Sequence, residues 1–488
     1  MMKKMVLLIA VLLILYPLTS KAGFKGGDGD PGYWFPGDPV EAPDPGKPPL
    51  VFVHGLNGSS SIWFDKNDMS EQAFKNGYDT AFIDLHPDKD MRDNGALLAS
   101  KLRDMYEHFG RKMILVSYSK GGIDTQSALI FHDAYRYVEH VITLGTPHHG
   151  SQLADLAYSS WAGWLSGILG MKNDAVYSLQ TGYMASFREQ ADSHPNRAKT
   201  RYYTLAGNKI GGFGSVLFFG GVYLNMFGQN DGAVTEKNAR LPYATNMDAG
   251  KWDHFSIIKG NITFPVFLPL LGIEQQANPA ASLSKEHTSY PYIRGGENKG
   301  QQEEEFAVEK GVKEVTVHWL SSHSSGNIKL TDPHGKAVTD FALSKTADVF
   351  EGGFVHSATV KNPASGKWTI SSSVKQKEAY LFVATFDSPL DQQIQRTVNT
   401  QASGLANVKT AVRSIRYENG KQVEKKELKS VSANGLRHSL SFKKAGMYSV
   451  TVDLSGKTAD NAPFNRTIIR SVYVNDKGQR FEHNPLHP

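Results

Sequence analysis

The chain contains no cysteine among its 488 residues, and this absence excludes disulfide bonds, zinc sites built on thiolates and a cysteine nucleophile. A strong excess of one charge sign is also lacking, because 53 Lys and Arg stand against 48 Asp and Glu, giving a formal net charge of +5. Proteins that bind nucleic acid usually concentrate basic residues on one face, so the interspersed charges predict no nucleic-acid partner.

Long apolar runs are lacking beyond the N-terminus. Lys3 and Lys4 precede an apolar run at residues 5–16, and the small residues Ser20 and Ala22 follow. This pattern is typical of an export signal, and the run is too short to cross a membrane comfortably. We therefore predict a signal peptide over residues 1–22, a secreted protein (extracellular or periplasmic) and no transmembrane segment in the mature chain. An uncleaved N-terminal anchor is the alternative interpretation.

Strand and helix patterns alternate in the first half of the chain. Residues 23–47 are rich in Gly, Pro and Asp, which predicts an extended lead-in with little regular structure. Apolar runs that predict buried strands follow at residues 50–53, 80–85, 113–116, 138–144 and 202–206. Apolar residues at helical spacing between 98 and 109 predict an amphipathic helix. The alternation predicts a mostly parallel sheet with helices on both faces over residues 48–280.

The pattern changes to period two beyond about residue 280. Candidate strands lie at residues 314–320, 327–331, 368–372, 379–384, 447–454 and 467–474. Turn signals at roughly ten-residue spacing predict antiparallel β-sandwiches, one over residues 300–388 and one over 400–478. The first resembles the jelly-roll appendages of secreted hydrolases, and the second resembles an immunoglobulin-like domain. The whole chain is thus predicted to be an α/β unit with a mostly parallel sheet, followed by one or two all-β domains.

A serine follows directly on the third apolar run. Ser119 stands between this strand and a stretch compatible with a helix, and a nucleophile at such a junction occupies a tight turn. The turn crowds the positions two before and two after the serine, where Ser117 and Gly121 are both small. The usual pattern has Gly at both positions, but the constraint is steric. A polar turn without chemistry is the alternative interpretation.

The first apolar run ends in another glycine-containing loop. His54 and Gly55 close this strand, and the backbone amides of Leu56 and Lys120 are predicted to donate to the oxyanion of a reacting ester. His54 precedes Ser119 in the chain, so we assign it a packing or hydrogen-bonding role at the strand end.

The triad order of α/β-hydrolases is Ser, then Asp or Glu, then His. Asp231 lies in a Gly-flanked turn downstream of the serine, and His254 lies in a short polar loop after it. We predict that His254 takes the proton of Ser119 and that Asp231 orients the imidazole. Asp253, next to the histidine, is the alternative acid.

One more segment, Leu144-Gly-Thr-Pro-His-His-Gly-Ser151, lies just after the strand that follows the nucleophile helix. Together with His54-Gly55, Ser117-Tyr-Ser-Lys-Gly-Gly122, Asn230-Asp-Gly232 and Asp253-His254, it resembles the bacterial triacylglycerol lipase and esterase family. The resemblance covers about residues 48–275. It implies the α/β-hydrolase fold, carboxylic ester hydrolysis and the triad Ser119, Asp231 and His254. Our leading hypothesis is a carboxylic ester hydrolase that favours long-chain acylglycerols.

No cofactor is predicted. Two adjacent imidazoles, His148 and His149, rarely chelate one ion, so we predict no metal site there. Some relatives of this fold hold a structural calcium ion, and the loops of this sequence carry no pattern that indicates one.

Two connections in the catalytic region are unusually apolar. Residues 153–171 hold Trp161 and Trp164, and residues 213–227 hold Phe218 and Phe219. The first is predicted as an amphipathic lid helix that acts at a lipid–water interface, and the second as a loop that lines an acyl pocket. Under this hypothesis the four aromatic residues bind substrate. An ordinary core helix and a buried β-hairpin are the alternatives.

Other functions are compatible with the same residues. An acyltransferase or a polyester depolymerase would use the same triad, and a surface-binding protein with an inactive hydrolase fold is an alternative from another class. The sequence favours a secreted lipase that forms an acyl-enzyme on Ser119.

Overall fold

The computed structural model describes residues 29–482 except 42–43, 164–171, 248, 273–288, 325–326, 346–352, 395–405 and 432–441. The predicted signal peptide, residues 1–22, lies outside the described residues. Among the helices that are described, none combines the length and the apolar character needed to cross a membrane.

The first half of the chain forms a seven-stranded sheet in the order β1-β3-β2-β4-β5-β6-β7. Its strands are β1 Trp34–Pro36, β2 Leu50–Val53, β3 Thr80–Ile83, β4 Met113–Tyr118, β5 Val138–Leu144, β6 Arg201–Leu205 and β7 Thr245–Asn246. Only β1 runs antiparallel to its neighbour. The central strands are buried on both faces, which is why they appear in the sequence as continuous apolar runs.

Helices cover both faces of this sheet. The α-helices that the structure describes in this half are α1 Met69–Lys75, α2 Met91–Phe109, α3 Lys120–Phe131, α4 Gln152–Ala157, α5 Asp174–Ser178, α6 Thr181–Ser193, α7 Val216–Leu224 and α8 Gly260–Phe267. Alternate residues of β2 point to opposite sides. Val51 and Val53 share an apolar cluster with Leu98 and Leu102 of α2, whereas Phe52 shares another with α1 and α8. This arrangement confirms the predicted α/β-hydrolase fold.

The lead-in contains a strand that the sequence does not predict. Phe35 of β1 stacks on Phe82 of β3 with ring centroids 5.4 Å apart, and Phe52 of β2 stacks on the other side of Phe82 at 5.3 Å. Gly and Pro surround this short strand and hide it in the sequence. Aromatic contacts with residues far away in the chain stabilise β1 as a strand.

Two antiparallel sheets form the second half of the chain, in agreement with the predicted β-sandwich structure. The first contains β8 Tyr292–Val308, β9 Glu314–Ser321, β10 Lys329–Thr331, β11 Ala337–Val338, β12 Ala342–Lys345, β13 Phe354–Lys361 and β14 Gly366–Asp387. The second contains β15 Ala406–Glu418, β16 Lys421–Val431, β17 Gly446–Lys457, β18 Pro463–Val474 and β19 Arg480–Phe481.

The structure differs from the predicted strands in two respects. The long strand β14 is continuous where two strands are predicted, and a register shift between Val374 and Glu378 marks the predicted break. Seven of the described strands in these two sheets are not predicted: β8, β11, β12, β13, β15, β16 and β19. Of these, β8 and β16 have polar, charged sequences that lack an apolar alternation. Both form by pairing with neighbours, β8 with β14 and β16 with β15.

The C-terminal sheets share an apolar core with the first half of the chain. Phe219 and Tyr223 of α7 lie in one buried cluster with Leu320 of β9 and Ile468 of β18. Polar contacts cross the same boundary. The Tyr417 hydroxyl donates to the Tyr158 carbonyl over 3.0 Å, for example. The sheets therefore pack tightly on the first half of the chain.

Candidate active site

Ser119 occupies the sharp turn between β4 and α3. Its φ is 49° and its ψ is −130°, a backbone conformation that residues with a side chain rarely adopt. A Cβ atom on Gly121 would lie 2.2 Å from the His54 carbonyl oxygen, so only glycine fits there. The turn thus holds the serine against the loop that follows β2.

Ser117 fits the position where the usual pattern has glycine. It is fully buried, and its Oγ lies 2.8 Å from the Thr125 Oγ1 of α3. The hydroxyl of the larger residue therefore has a hydrogen-bond partner, so the departure from glycine is accommodated without an unpaired buried group.

Three loops bring the predicted triad residues together. The His254 Nε2 lies 3.1 Å from the Ser119 Oγ, and the His254 Nδ1 lies 2.7 Å from the Asp231 Oδ2. All three side chains are buried. Since the carboxylate can only accept, Nδ1 carries the proton, and Nε2 is free to receive the hydroxyl proton of the serine.

The Asp231 carboxylate is fixed on both oxygens. Its Oδ1 accepts from the backbone amides of Ala233 at 2.9 Å and Val234 at 2.8 Å, while Oδ2 faces the imidazole. A Cβ atom on Gly145 would lie 3.1 Å from this Oδ2 and 3.2 Å from the His254 Nδ1. The glycine that opens the Gly-Thr-Pro-His-His-Gly segment therefore leaves room for the acid–base pair.

Asp253 does not reach the imidazole nitrogen. Its Oδ1 accepts from the backbone amides of Phe255 at 3.2 Å and Ser256 at 2.8 Å, so the carboxylate caps its own turn. The geometry favours Asp231 over this alternative.

The loop after β2 lies directly beside the serine. A Cβ atom on Gly55 would lie 2.8 Å from the Ser119 Cβ. Within the described part of the chain, the backbone amides of Leu56 and Lys120 donate to no other protein group. An oxygen that carries developing charge next to Ser119 could accept from both.

His54 is buried at the end of β2 and holds two backbone groups. Its Nδ1 donates to the Gly55 carbonyl at 2.8 Å, and its Nε2 accepts from the Leu85 amide at 2.9 Å. Burial lowers the pKa of His54, so the imidazole is neutral at physiological pH. This agrees with the hydrogen-bonding role expected from its place in the chain.

The sequence alone does not predict a role for two charged side chains at the start of α3, directly after Ser119. Lys120 is buried, and its Nζ lies 2.7 Å from the Oδ1 of Asp124, one helical turn further along α3. The available signal was a Lys and an Asp four residues apart in an otherwise uncharged helix segment.

Three of the four residues predicted to bind substrate have other contacts in this structure. The guanidinium carbons of Arg294 and Arg413 lie over the Trp161 ring, 4.6 Å and 4.5 Å from its centroid. Phe218 and Phe219 contact the ring of His318 on β9. Trp164 lies outside the described residues.

The described parts of the two apolar connections both contain helical residues. In residues 213–227 the central element is α7, so neither the predicted loop nor the alternative β-hairpin forms. Its apolar residues are distributed around the helix because it packs between the first half of the chain and β9. In residues 153–171 the described part consists of the remainder of α4 followed by turns, and α4 ends at Ala157.

His148 is buried, and both of its ring nitrogens form hydrogen bonds within the protein. Its Nδ1 lies 3.0 Å from the Gln126 Oε1 and its Nε2 lies 3.2 Å from the Thr143 Oγ1, so both nitrogens have protein partners. Burial lowers the pKa of this histidine. No group of three or more His, Asp or Glu side chains suited to a metal ion occurs in the described ranges.

A serine on a strained strand-to-helix turn, joined through an imidazole to a buried carboxylate, defines a serine hydrolase of the α/β-hydrolase class. A crystal structure of Bacillus licheniformis lipase BlEst2 in its propeptide form is 78% identical to this chain, with a TM-score of 0.90. It covers 93% of this chain and 100% of its own. The chain therefore belongs to the lipase and esterase family of α/β-hydrolases and is a carboxylic ester hydrolase.

Two further structures are similar over part of the chain. Bacillus licheniformis lipase BlEst2 in its mature form is 83% identical, covers 50% of this chain and 100% of its own, and has a TM-score of 0.49. The metagenomic carboxyl esterase MGS0156 is 21% identical, covers 46% of this chain and 74% of its own, and has a TM-score of 0.36. No family model and no curated protein matches the chain.

Proposed function

We propose that this chain is a secreted lipase that hydrolyses acylglycerol esters through an acyl-enzyme on Ser119. The observation that carries the proposal is the hydrogen-bonded chain from the Ser119 Oγ through His254 to Asp231. The likeness to a lipase supports the substrate class, and the predicted signal at residues 1–22 supports secretion.

In the acylation step, the Ser119 Oγ attacks the ester carbonyl carbon while the His254 Nε2 takes the hydroxyl proton. The carbonyl oxygen becomes an oxyanion, and the amides of Leu56 and Lys120 donate to it. Asp231 stabilises the imidazolium. When the tetrahedral intermediate collapses, His254 gives its proton to the leaving alcohol, and the acyl group remains on the serine.

In the deacylation step, water takes the place of the alcohol. The His254 Nε2 removes a proton from the water as its oxygen attacks the acyl carbonyl carbon, and the same amides stabilise the second oxyanion. Collapse breaks the bond to the Ser119 Oγ, which recovers its proton from His254. The products are a carboxylic acid and the free enzyme.

Initial rates on esters of different chain length test the substrate class. We expect kcat/KM for long-chain acylglycerols to exceed that for short-chain esters by about 10-fold or more, because additional methylenes bind an apolar site. Rates should also rise when the ester is emulsified, and phospholipids should be poorer substrates. Activity confined to short, dissolved esters would make the enzyme a simple esterase, and acyl transfer to added glycerol or sterol in preference to water would make it an acyltransferase.

The C-terminal sheets have a second proposed role. BlEst2 in its propeptide form is similar to nearly the whole of this chain, and we propose that the sheets from Tyr292 onward are likewise a propeptide. The triad lies wholly before these sheets, so their removal leaves it complete. Leu56, beside the serine, packs against an apolar cluster that includes Ile415, Tyr417 and Met447 of the last sheet. The sheets thus reach the edge of the site.

Limited proteolysis of the purified full chain tests this role. As the C-terminal fragment is released, we expect the rate on a soluble ester to rise by about 10-fold or more. Without the sheets at the edge of the site, the conformation that can bind the ester becomes the main population.

Trp161→Ala should speed the release of the C-terminal fragment, since the variant loses the contacts of two guanidinium groups with the indole ring. Tyr33→Ala, which removes an exposed ring that stacks on Phe35, is the matched control. A rate that falls as the fragment leaves would contradict the proposal.

A further inference from the structure

Lys120 follows the nucleophile directly, and its side chain is 1% exposed. Burying a lysine is costly unless its charge is paired, and an apolar pair of similar size would often stabilise a protein at least as well. The partner here is Asp124, whose Oδ1 lies 2.7 Å from the Lys120 Nζ. The pair joins the first residue of α3 to its next turn, which suggests a role in geometry beyond general stability.

The ion pair continues into a second helix. The Asp124 Oδ2 accepts from the Asn94 Nδ2 of α2 at 3.0 Å. Asn94 in turn holds both backbone groups of His86, because its Oδ1 accepts from the His86 amide at 3.1 Å and its Nδ2 donates to the His86 carbonyl at 2.9 Å. Three side chains therefore connect the start of α3 to the loop after β3.

The loop after β3 forms hydrogen bonds to both ends of the loop after β2, residues 54–57, which contains Leu56. The Leu85 amide donates to the His54 Nε2 at 2.9 Å, and the Pro87 carbonyl accepts from the Asn57 amide at 3.0 Å. His54 and Asn57 flank Leu56 in the chain. Hydrogen bonds, joined through the backbone of residues 85–87, thus connect Lys120 to both sides of Leu56. Lys120 and Leu56 are the two residues whose amides bind the oxyanion in the proposed function.

We propose that Lys120, Asp124 and Asn94 are positioning residues that fix the distance between the backbone amides of Lys120 and Leu56. This inference rests on the proposed function, in which those amides bind the oxyanion. Donors to an oxyanion act only when they are held in place before the reaction, and the loss of one donor lowers kcat by about 10²- to 10³-fold. A connected network of buried hydrogen bonds specifies one geometry more narrowly than apolar packing does.

The double variant Lys120→Met/Asp124→Leu tests the proposal without leaving an unpaired buried charge. We expect kcat to fall by about 10- to 100-fold with KM nearly unchanged, because a small misplacement of the donors weakens only the transition state. The affinity for a trifluoromethyl ketone, which binds the serine as an oxyanion, should fall by the same factor. Active sites are counted by titration with a fluorophosphonate, so a loss of folded protein does not enter kcat.

Asn94→Ala tests the same connection from its other end and keeps the ion pair, so it serves where the double variant does not fold. It should show the same joint loss of kcat and ketone affinity. Arg111→Met is the matched control. It removes a 2.8 Å ion pair with Asp79 at the opposite edge of the same sheet and should leave both quantities unchanged.

Wild-type kcat and ketone affinity in the double variant, or in Asn94→Ala, would overturn the positioning role and leave the proposed function intact. A lower melting temperature with both quantities unchanged would have the same meaning, since it would reduce the three residues to a structural role. A wild-type enzyme that no fluorophosphonate titrates would instead overturn the proposed function itself.

Discussion

Replacing Ser119 with alanine should lower kcat for ester hydrolysis by about 10⁵- to 10⁶-fold, because the reaction loses its nucleophile while the rest of the site remains. A fluorophosphonate should label the wild-type chain on this residue and leave Ser119→Ala unlabelled. The alanine also fits the space of the serine, so the fold should persist. Rates on a soluble ester, corrected for the folded fraction, give the measurement.

Ser117→Ala is the control for this experiment. The residue lies on the same strand, and the substitution removes one buried hydroxyl and its hydrogen bond to Thr125, a change worth about 1 kcal/mol of stability. Labelling and turnover should stay near the wild-type values. A wild-type chain that takes no label at all would support the alternative of an inactive surface-binding protein.

Replacing Asp231 with asparagine should lower kcat by about 10⁴-fold. An amide nitrogen in place of Oδ2 donates to the imidazole, so the proton moves from Nδ1 to Nε2, and Nε2 can no longer accept from the serine. The remaining oxygen can still accept from the amides of Ala233 and Val234, so the turn should fold as before. Steady-state kinetics and a thermal melt of the same sample separate the two effects.

Asp253→Asn is the control variant for Asp231→Asn, because Asp253 is the alternative residue that could orient His254. Its carboxylate caps the turn at Phe255 and Ser256, and an asparagine oxygen can do the same, so activity should remain near wild type. Loss of activity in Asp253→Asn together with normal turnover in Asp231→Asn would reverse the assignment.

The sequence predicts the central strands, and it points to the three residues that the structure brings together at Ser119. The signals for both are short segments of sequence or a fixed order along the chain. The strand that ends at Tyr118 is apolar throughout since both of its faces are buried, and the small residues around Ser119 mark a crowded turn. Asp231 and His254 follow in the chain order of the fold. Each of these signals can be read within a few residues.

Contacts between distant segments leave no such signal. The apolar residues of α7 look in the sequence like a surface for substrate, whereas Phe219 is buried against the C-terminal sheets. An apolar segment has the same composition whether it meets a lipid or another part of its own chain. The bond between Asn94 and Asp124 likewise joins residues 30 positions apart, and neither residue type indicates it.

The outermost strands of the three sheets are short or charged, which opposes pairing between strands of different molecules. A long strand with free amides and carbonyls invites a strand of another molecule, and such pairing leads to aggregates. In the described structure the outermost strands β1, β7, β11, β12 and β19 have 2 to 4 residues each. Strands β8 and β16, which also pair with one neighbour each, are longer and instead carry charged side chains that are all at least partly exposed. These are Arg294, Glu297, Lys299, Glu303, Glu304 and Glu305 in β8, and Lys421, Glu424, Lys425, Lys426 and Glu427 in β16. A chain without a single covalent cross-link thus protects itself against intermolecular β-pairing at high concentration by short or charged margins.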